Sequence, residues 1–119
     1  MLRPMSHSPL TEPTFLILTA LAAGPQHGYG VVEDVLRISD GRVRLRAGTL
    51  YGVLDRLRAD GLIEVDREEV VQSRLRRYYR LTGLGAERLA EETARLRRNA
   101  GEAAKRLRRS GFMPQGGVA

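Results

Sequence analysis

Guanidinium and hydroxyl donors gather in two places along this chain. Arg44, Arg46, Thr49, Tyr51 and Arg56 form the first set, and Ser73, Arg74, Arg76 and Arg77 the second. A guanidinium is a rigid fork of donors that fits two phosphate oxygens or the O6/N7 edge of guanine, and a hydroxyl adds a single bond to phosphate. Gly48 and Gly52 fall among the first set and strip bulk from it, so a phosphate or a groove wall can come close. This is the chemistry of holding a polyanion. Bond-breaking chemistry has no comparable set: there is no Ser/His/Asp ordering, no phosphate loop and no metal-ligand spacing. In the acidic run from Glu64 to Glu69, a regular strand puts Glu64, Asp66 and Glu68 on one face and Arg67 and Glu69 on the other. No histidine or cysteine accompanies them, so solvated strand charge accounts for the run. His27 stands in G-P-Q-H-G-Y-G, where turn and helix-entry roles suffice, and that glycine-rich stretch contains proline and follows a helix rather than a strand, unlike a nucleotide fingerprint. No enzyme, cofactor or metal site is expected.

The elements that must position these donors can be read from periodicity. Leu50, Val53, Leu54 and Leu57 are apolar at i, i+3, i+4 and i+7, the buried stripe of a helix from about Ala47 to Asp60, and Gly61 is placed to supply the left-handed residue of its C-cap. With that stripe inward, the outer face carries Gly48, Thr49, Tyr51, Gly52, Asp55 and Arg56. Arg44 and Arg46 lie just ahead of the helix, where its dipole favours an anion. Arg56 has the reach for guanine or phosphate, and Thr49 for phosphate or a thymine methyl. Tyr51 has two readings, a phenol-to-phosphate bond or half-burial against the preceding helix. Asp55 is expected to pair with Arg58 at i,i+3. Downstream, Arg77, Tyr79 and Leu81 alternate with Arg76, Tyr78 and Arg80, the period of a strand, in a hairpin from about Leu62 to Leu81. Ser73, Arg74 and Arg76 fall near its tip; Arg77 either joins them or pairs with Glu64 or Asp66 across the hairpin. A helix with an uncommitted outer face followed by an Arg-edged hairpin predicts a winged helix-turn-helix, a mostly α (α+β) fold.

Around this half the chain predicts an arm at 1–9 and a first helix opened by Thr11-Glu12-Pro13, apolar nearly all round and so deeply buried. A second helix from about Gly28 to Ile38 turns Tyr29, Val32, Val35 and Leu36 inward, and a disordered tail occupies 110–119. Residues 10–82 thus form the DNA-binding domain and 83–109 one long last helix. In that helix Leu89, Leu96 and Ala103 are seven apart, as are Thr93, Ala100 and Leu107, and interleaved they form an a/d seam. Such a seam must pack on something: on the same helix of a second chain, giving a homodimer, or back on its own domain.

At 119 residues the chain allows a single domain. It has no cysteine, which excludes disulfides and thiolate metal sites. No apolar run approaches the roughly 18 residues of a membrane span, and the N-terminus lacks a secretory core, so a cytoplasmic location is expected. The net charge is +6 and the pI about 10.7, in the range of a nucleic-acid footprint. Arginine makes up nearly all the basic residues, however, so charge alone does not decide the partner.

H-G-Y at 27–29, G-T-L-Y-x-x-L-x-R-L at 48–57, G-L-I at 61–63 and R-Y-Y-x-L-T-x-x-G at 77–85 together resemble the PadR family of bacterial transcription regulators, over about Leu10 to Leu107. Ala47 departs from it where many members carry proline, a change that matters little at a helix start. The resemblance implies a homodimer on double-stranded DNA, repression more often than activation, and an effector that changes the spacing of the two heads. Some relatives stack planar aromatic ligands near the dimer interface. This chain has no Trp and only two Phe, and its last helix is free of aromatics, so a cavity of that kind is not expected. The alternative reading is a winged helix serving as a protein-interaction adaptor.

Overall fold

The computed structural model describes residues 8–112. Thr11 opens α1 (Glu12–Ala22), its hydroxyl accepting the Thr14 N–H at 3.3 Å, with a proline in the first turn. Leu16, Ile17, Leu18, Ala20 and Leu21 are all buried, so this helix runs through the core, as its all-round apolar character predicts. A two-residue strand, β1 (Gln26–His27), follows and leads directly into α2 (Gly28–Ile38). After an extended connection come α3 (Ala47–Ala59), the hairpin strands β2 (Ile63–Val71) and β3 (Arg74–Leu81), and α4 (Gly83–Arg109). The antiparallel sheet has the order β1-β3-β2. Leu50, Leu54 and Leu57 of α3, Ile63 of β2 and Tyr79 of β3 close over α1 together with Val31 and Val35. This is a winged helix-turn-helix with a long C-terminal helix.

Three local readings change. In α2 the inward stripe is Gly28, Val31, Asp34 and Val35, with Val32 partly buried, while Tyr29 points out at 67 % exposure. The stripe is shifted by one residue because Gly28 is itself an inward contact, a role that apolar periodicity does not assign to glycine. Asp34 is buried because Arg37 pairs with it and the Gln26 amide donates to it at 3.4 Å. In β2 the pairing steps from Val65↔Tyr79 to Arg67↔Tyr78, leaving Asp66 as a β-bulge. Glu64 therefore sits opposite Arg80 and Glu68 opposite Arg77, on opposite faces of the hairpin rather than on one. β1 lies where only a turn and helix entry were expected; two residues are too short for an alternation to register.

The helix ends are closed locally. Gly61 at φ +77° completes the α3 terminus, with the Leu62 N–H donating to the Leu57 carbonyl at 2.9 Å. Thr82 caps α4 by accepting the Gly85 N–H at 3.0 Å and donates its own hydroxyl to the Gly61 carbonyl at 2.7 Å, tying both helices to one corner. The first half of α4 lies against α1 and the chain start. Arg88 donates to the Ser8 carbonyl at 2.7 Å, and Leu89 packs on the core. Glu92 is buried and pairs with Arg95; Arg95 above all, and then the Leu10 N–H, hold its carboxyl below the usual range. Ser8, the end of the arm, is thus tied to α4, while residues 1–7 lie outside the described residues. Among the described residues, the ion pairs of α4 beyond Leu96 are within the helix, Glu102 with Lys105 and Arg106. Ser110, Gly111 and Phe112 form its C-cap, Gly111 at φ +81°, and the rest of the expected tail lies outside the described residues. Among the described residues, no helix is long and apolar enough to cross a membrane.

Candidate nucleic-acid interface

The outer face of α3 and the hairpin flank one open cleft of about 630 Å³. Tyr51 and Asp55 line it from α3, Arg74, Leu75, Arg76 and Arg77 from the hairpin, and His27, Gly28 and Tyr29 at the base of α2. Tyr51 of the first donor set and Arg74, Arg76 and Arg77 of the second thus meet on one cleft. Gln72 and Ser73 make the turn, both at positive φ, 52° and 66°. Two such residues in a two-residue hairpin match the twist of the strands, a role glycine and asparagine usually fill.

Arg44 and Arg46 are exposed in the extended segment ahead of α3. Arg46 occupies the N-cap position without a side-chain cap, so the first N–H groups of α3 have no side-chain partner there. Gly48, Thr49, Gly52 and Arg56 are all on the exposed face. A Cβ added at Gly48 or Gly52 would meet nothing within 4 Å, so no internal contact calls for glycine at either position. Tyr51 satisfies parts of both its readings: its ring lies over Gly28 at the start of α2, yet it is 47 % exposed and lines the cleft.

The ion pairs divide the arginines. Arg77 pairs with Glu68 at 2.8 Å rather than with Glu64 or Asp66; those two take Arg80, at 2.6 and 3.3 Å. The bulge at Asp66 is the reason, because it moves Glu68 opposite Arg77. Arg67 lies over the Tyr78 ring at 3.9 Å and pairs with Asp66 and Glu69. These carboxylates hold the guanidinium pKa values of Arg67, Arg77 and Arg80 above their ordinary value. By contrast, Arg44, Arg46, Arg56, Arg74 and Arg76 make no ion pair among the described residues. Asp55 does not pair with Arg58 as expected; its side chain lines the cleft opposite the hairpin arginines.

His27 does more than the turn and helix-entry roles expected of it. Its Nδ1 accepts the Gly30 N–H at 3.2 Å as the N-cap of α2, and its ring stands edge-on to Tyr78 and stacked with Tyr29. Burial first, and then the nearby Arg76, lower its pKa, which favours the neutral ring that accepts that bond. Leu75 and Val70 were also missed: they are directly paired across the hairpin and exposed, Leu75 on the cleft. The alternation of β3 carries that signal, because Leu75 falls in phase with Arg77 and Tyr79.

Residues 17–91 match the transcriptional regulator PadR-like family, a span from within α1 into the first half of α4. Over 76 residues the chain is 40% identical to Transcriptional regulator Rv3488 of Mycobacterium tuberculosis, covering 64% of this chain and 67% of that protein. Its fold is similar to that of a PadR family transcription regulator from Clostridium difficile R20291, with a TM-score of 0.68 and 22% identity over 82% of this chain and 99% of that one. It is also similar to Bacillus subtilis PadR, solved in complex with operator DNA, with a TM-score of 0.59 and 22% identity over 66% of this chain and 44% of that one. With the family match covering α2, α3 and the whole hairpin, the chain belongs to the PadR-like family of transcriptional regulators.

Proposed function

We propose that this chain is a homodimeric, sequence-specific DNA-binding repressor whose two α3 helices enter the major groove at the halves of an inverted-repeat operator. The observation that carries the reading is the division of the arginines. Among the described residues, Arg67, Arg77 and Arg80 of the hairpin pair with neighbouring carboxylates, while Arg74 and Arg76 on the cleft, and the exposed Arg44, Arg46 and Arg56 in and ahead of α3, make no ion pair. Unpaired guanidinium groups on one side of a basic chain are what phosphate recognition requires. In this reading Arg44, Arg46, Thr49 and the uncapped start of α3 hold phosphates. Gly48 and Gly52 let the helix approach the groove, Arg56 reads a base edge, and Ser73, Arg74 and Arg76 grip the flanking backbone or minor groove. Arg77, committed to Glu68, is a supporting residue of the hairpin. The exposed Leu96, Ala100, Ala103 and Leu107 of α4 join two chains, with Leu89 and Thr93 at the edge of the same seam. An effector that alters how two such helices pack would change the spacing of the heads, and the resemblance supports that mode of control. Repression follows the family's commoner habit.

Contact class is the test. Arg56→Ala should cost about 1–3 kcal/mol on the operator, relax discrimination at one base pair per half-site, and cost much less on unrelated DNA. Arg74→Ala and Arg76→Ala should weaken binding to all duplexes alike, each lowering the slope of log affinity against log salt by about one. Anisotropy titrations on operator and random duplexes at several salt concentrations measure both. Equal losses for Arg56→Ala on the two duplexes would make it a phosphate contact. An altered sequence preference with an intact slope would make the wing a base reader.

A further inference from the structure

Gly28 is the first residue of α2 and is buried, and its φ is not positive, so backbone conformation gives no reason for glycine there. The reason is a neighbour. A Cβ at this position would stand 2.5 Å from the Tyr51 Oη, 3.0 Å from its Cζ and 3.3 Å from Leu50 Cδ2. The base of α2 is itself a fixed post: His27 caps it through Gly30, and β1 pairs Gln26 with Tyr79 and His27 with Tyr78. Anything added at Gly28 must therefore be met by the partner that can move, the end of the Tyr51 side chain. Among the described residues the Tyr51 hydroxyl makes no hydrogen bond, and Tyr51 lines the cleft with Arg74 and Arg76, so its bonding capacity is open on their side.

We infer that Gly28 is a positioning residue for DNA recognition: by having no side chain it sets where the Tyr51 hydroxyl stands on the cleft. The inference rests on the proposed role of Tyr51 as a DNA contact and adds to it a residue that touches no DNA. The H-G-Y segment that opens α2 and the G-T-L-Y segment of α3 are then two halves of one device, a glycine socket and the phenol it seats.

A double-mutant cycle tests this, with operator affinity and thermal melting measured for the full-length protein, Gly28→Ala, Tyr51→Ala and the double variant. Gly28→Ala is expected to lower operator affinity about tenfold in the otherwise unchanged protein and to have no further effect once Tyr51 is alanine. The double variant should melt like Tyr51→Ala alone, because the ring that Cβ would strike is gone. If Gly28→Ala proves unfolded, a folded double variant still bears the inference out, and an unfolded one overturns it. Equal losses of affinity in both backgrounds would overturn it too, because Gly28 would then act through α2 and not through Tyr51. Full operator affinity in Tyr51→Ala would show instead that the phenol does not contact DNA, and the inference would fall with that contact.

Discussion

Leu96→Glu is expected to give a monomer with at least a hundredfold weaker operator binding. Leu96 is 40 % exposed and lies beyond the polar contacts of Arg88 with Ser8 and of Glu92 with Leu10. Ala100, Ala103 and Leu107 continue the same face, and among the described residues the ion pairs past Leu96 stay within the helix. A carboxylate there costs the isolated chain little, but in a two-chain seam it would be buried without a partner. Once the chains separate, each head binds its half-site alone, and the gain from linking the two events is lost. Leu89 is a poorer choice for this experiment because it packs on the chain's own core, so changing it would disturb the fold as well. Sedimentation velocity gives the assembly state and anisotropy the affinity. A dimer unchanged by Leu96→Glu would put the interface elsewhere on the molecule.

Gly85→Ala is expected to destabilise the fold by about 3 kcal/mol, which for a chain of this size lowers the melting temperature by about 10 °C. An added Cβ would stand 2.0 Å from the Leu62 carbonyl oxygen and 2.9 Å from Leu81 Cδ1. The obstacle is backbone and cannot step aside. Leu62 is in the core, its carbonyl accepts the Thr82 N–H at 3.1 Å, and Thr82 in turn ties α4 to the end of α3. To fit a methyl group, α4 would have to lift from the corner that sets its direction. Urea unfolding should therefore show a lower midpoint at an unchanged slope. A variant as stable as its parent would mean that the α4 corner yields.

Much of this architecture is legible in the residues because the signals are local and agree with one another. The leucine stripe of α3 with Gly61 behind it, the alternation of β3, and the Thr11 cap each fix one element by short-range chemistry. What escaped the reading depends on contacts between distant parts of the chain. The phase of α2 turns on Gly28 meeting Tyr51, and no periodicity rule counts a glycine as an inward residue. The partner of Arg77 turns on a bulge at Asp66, and one extra residue reverses every face beyond it. β1 exists because β3 offers it an edge. Within the candidate interface the residue types were legible, but which arginines are spent on internal pairs was not, since that depends on strand register.

The central claim is that the unpaired donors around the α3–wing cleft hold duplex DNA. It is tested most directly by titrating the protein onto duplexes from the region upstream of its own gene while salt is raised. The expected result is saturation at two chains per inverted repeat, with half-site centres about 10 bp or a multiple apart. Log affinity should fall linearly with log salt, at a slope of several units. Binding that is absent, or insensitive to salt, on every duplex tried would contradict the claim and leave a winged helix that serves as a protein-interaction adaptor.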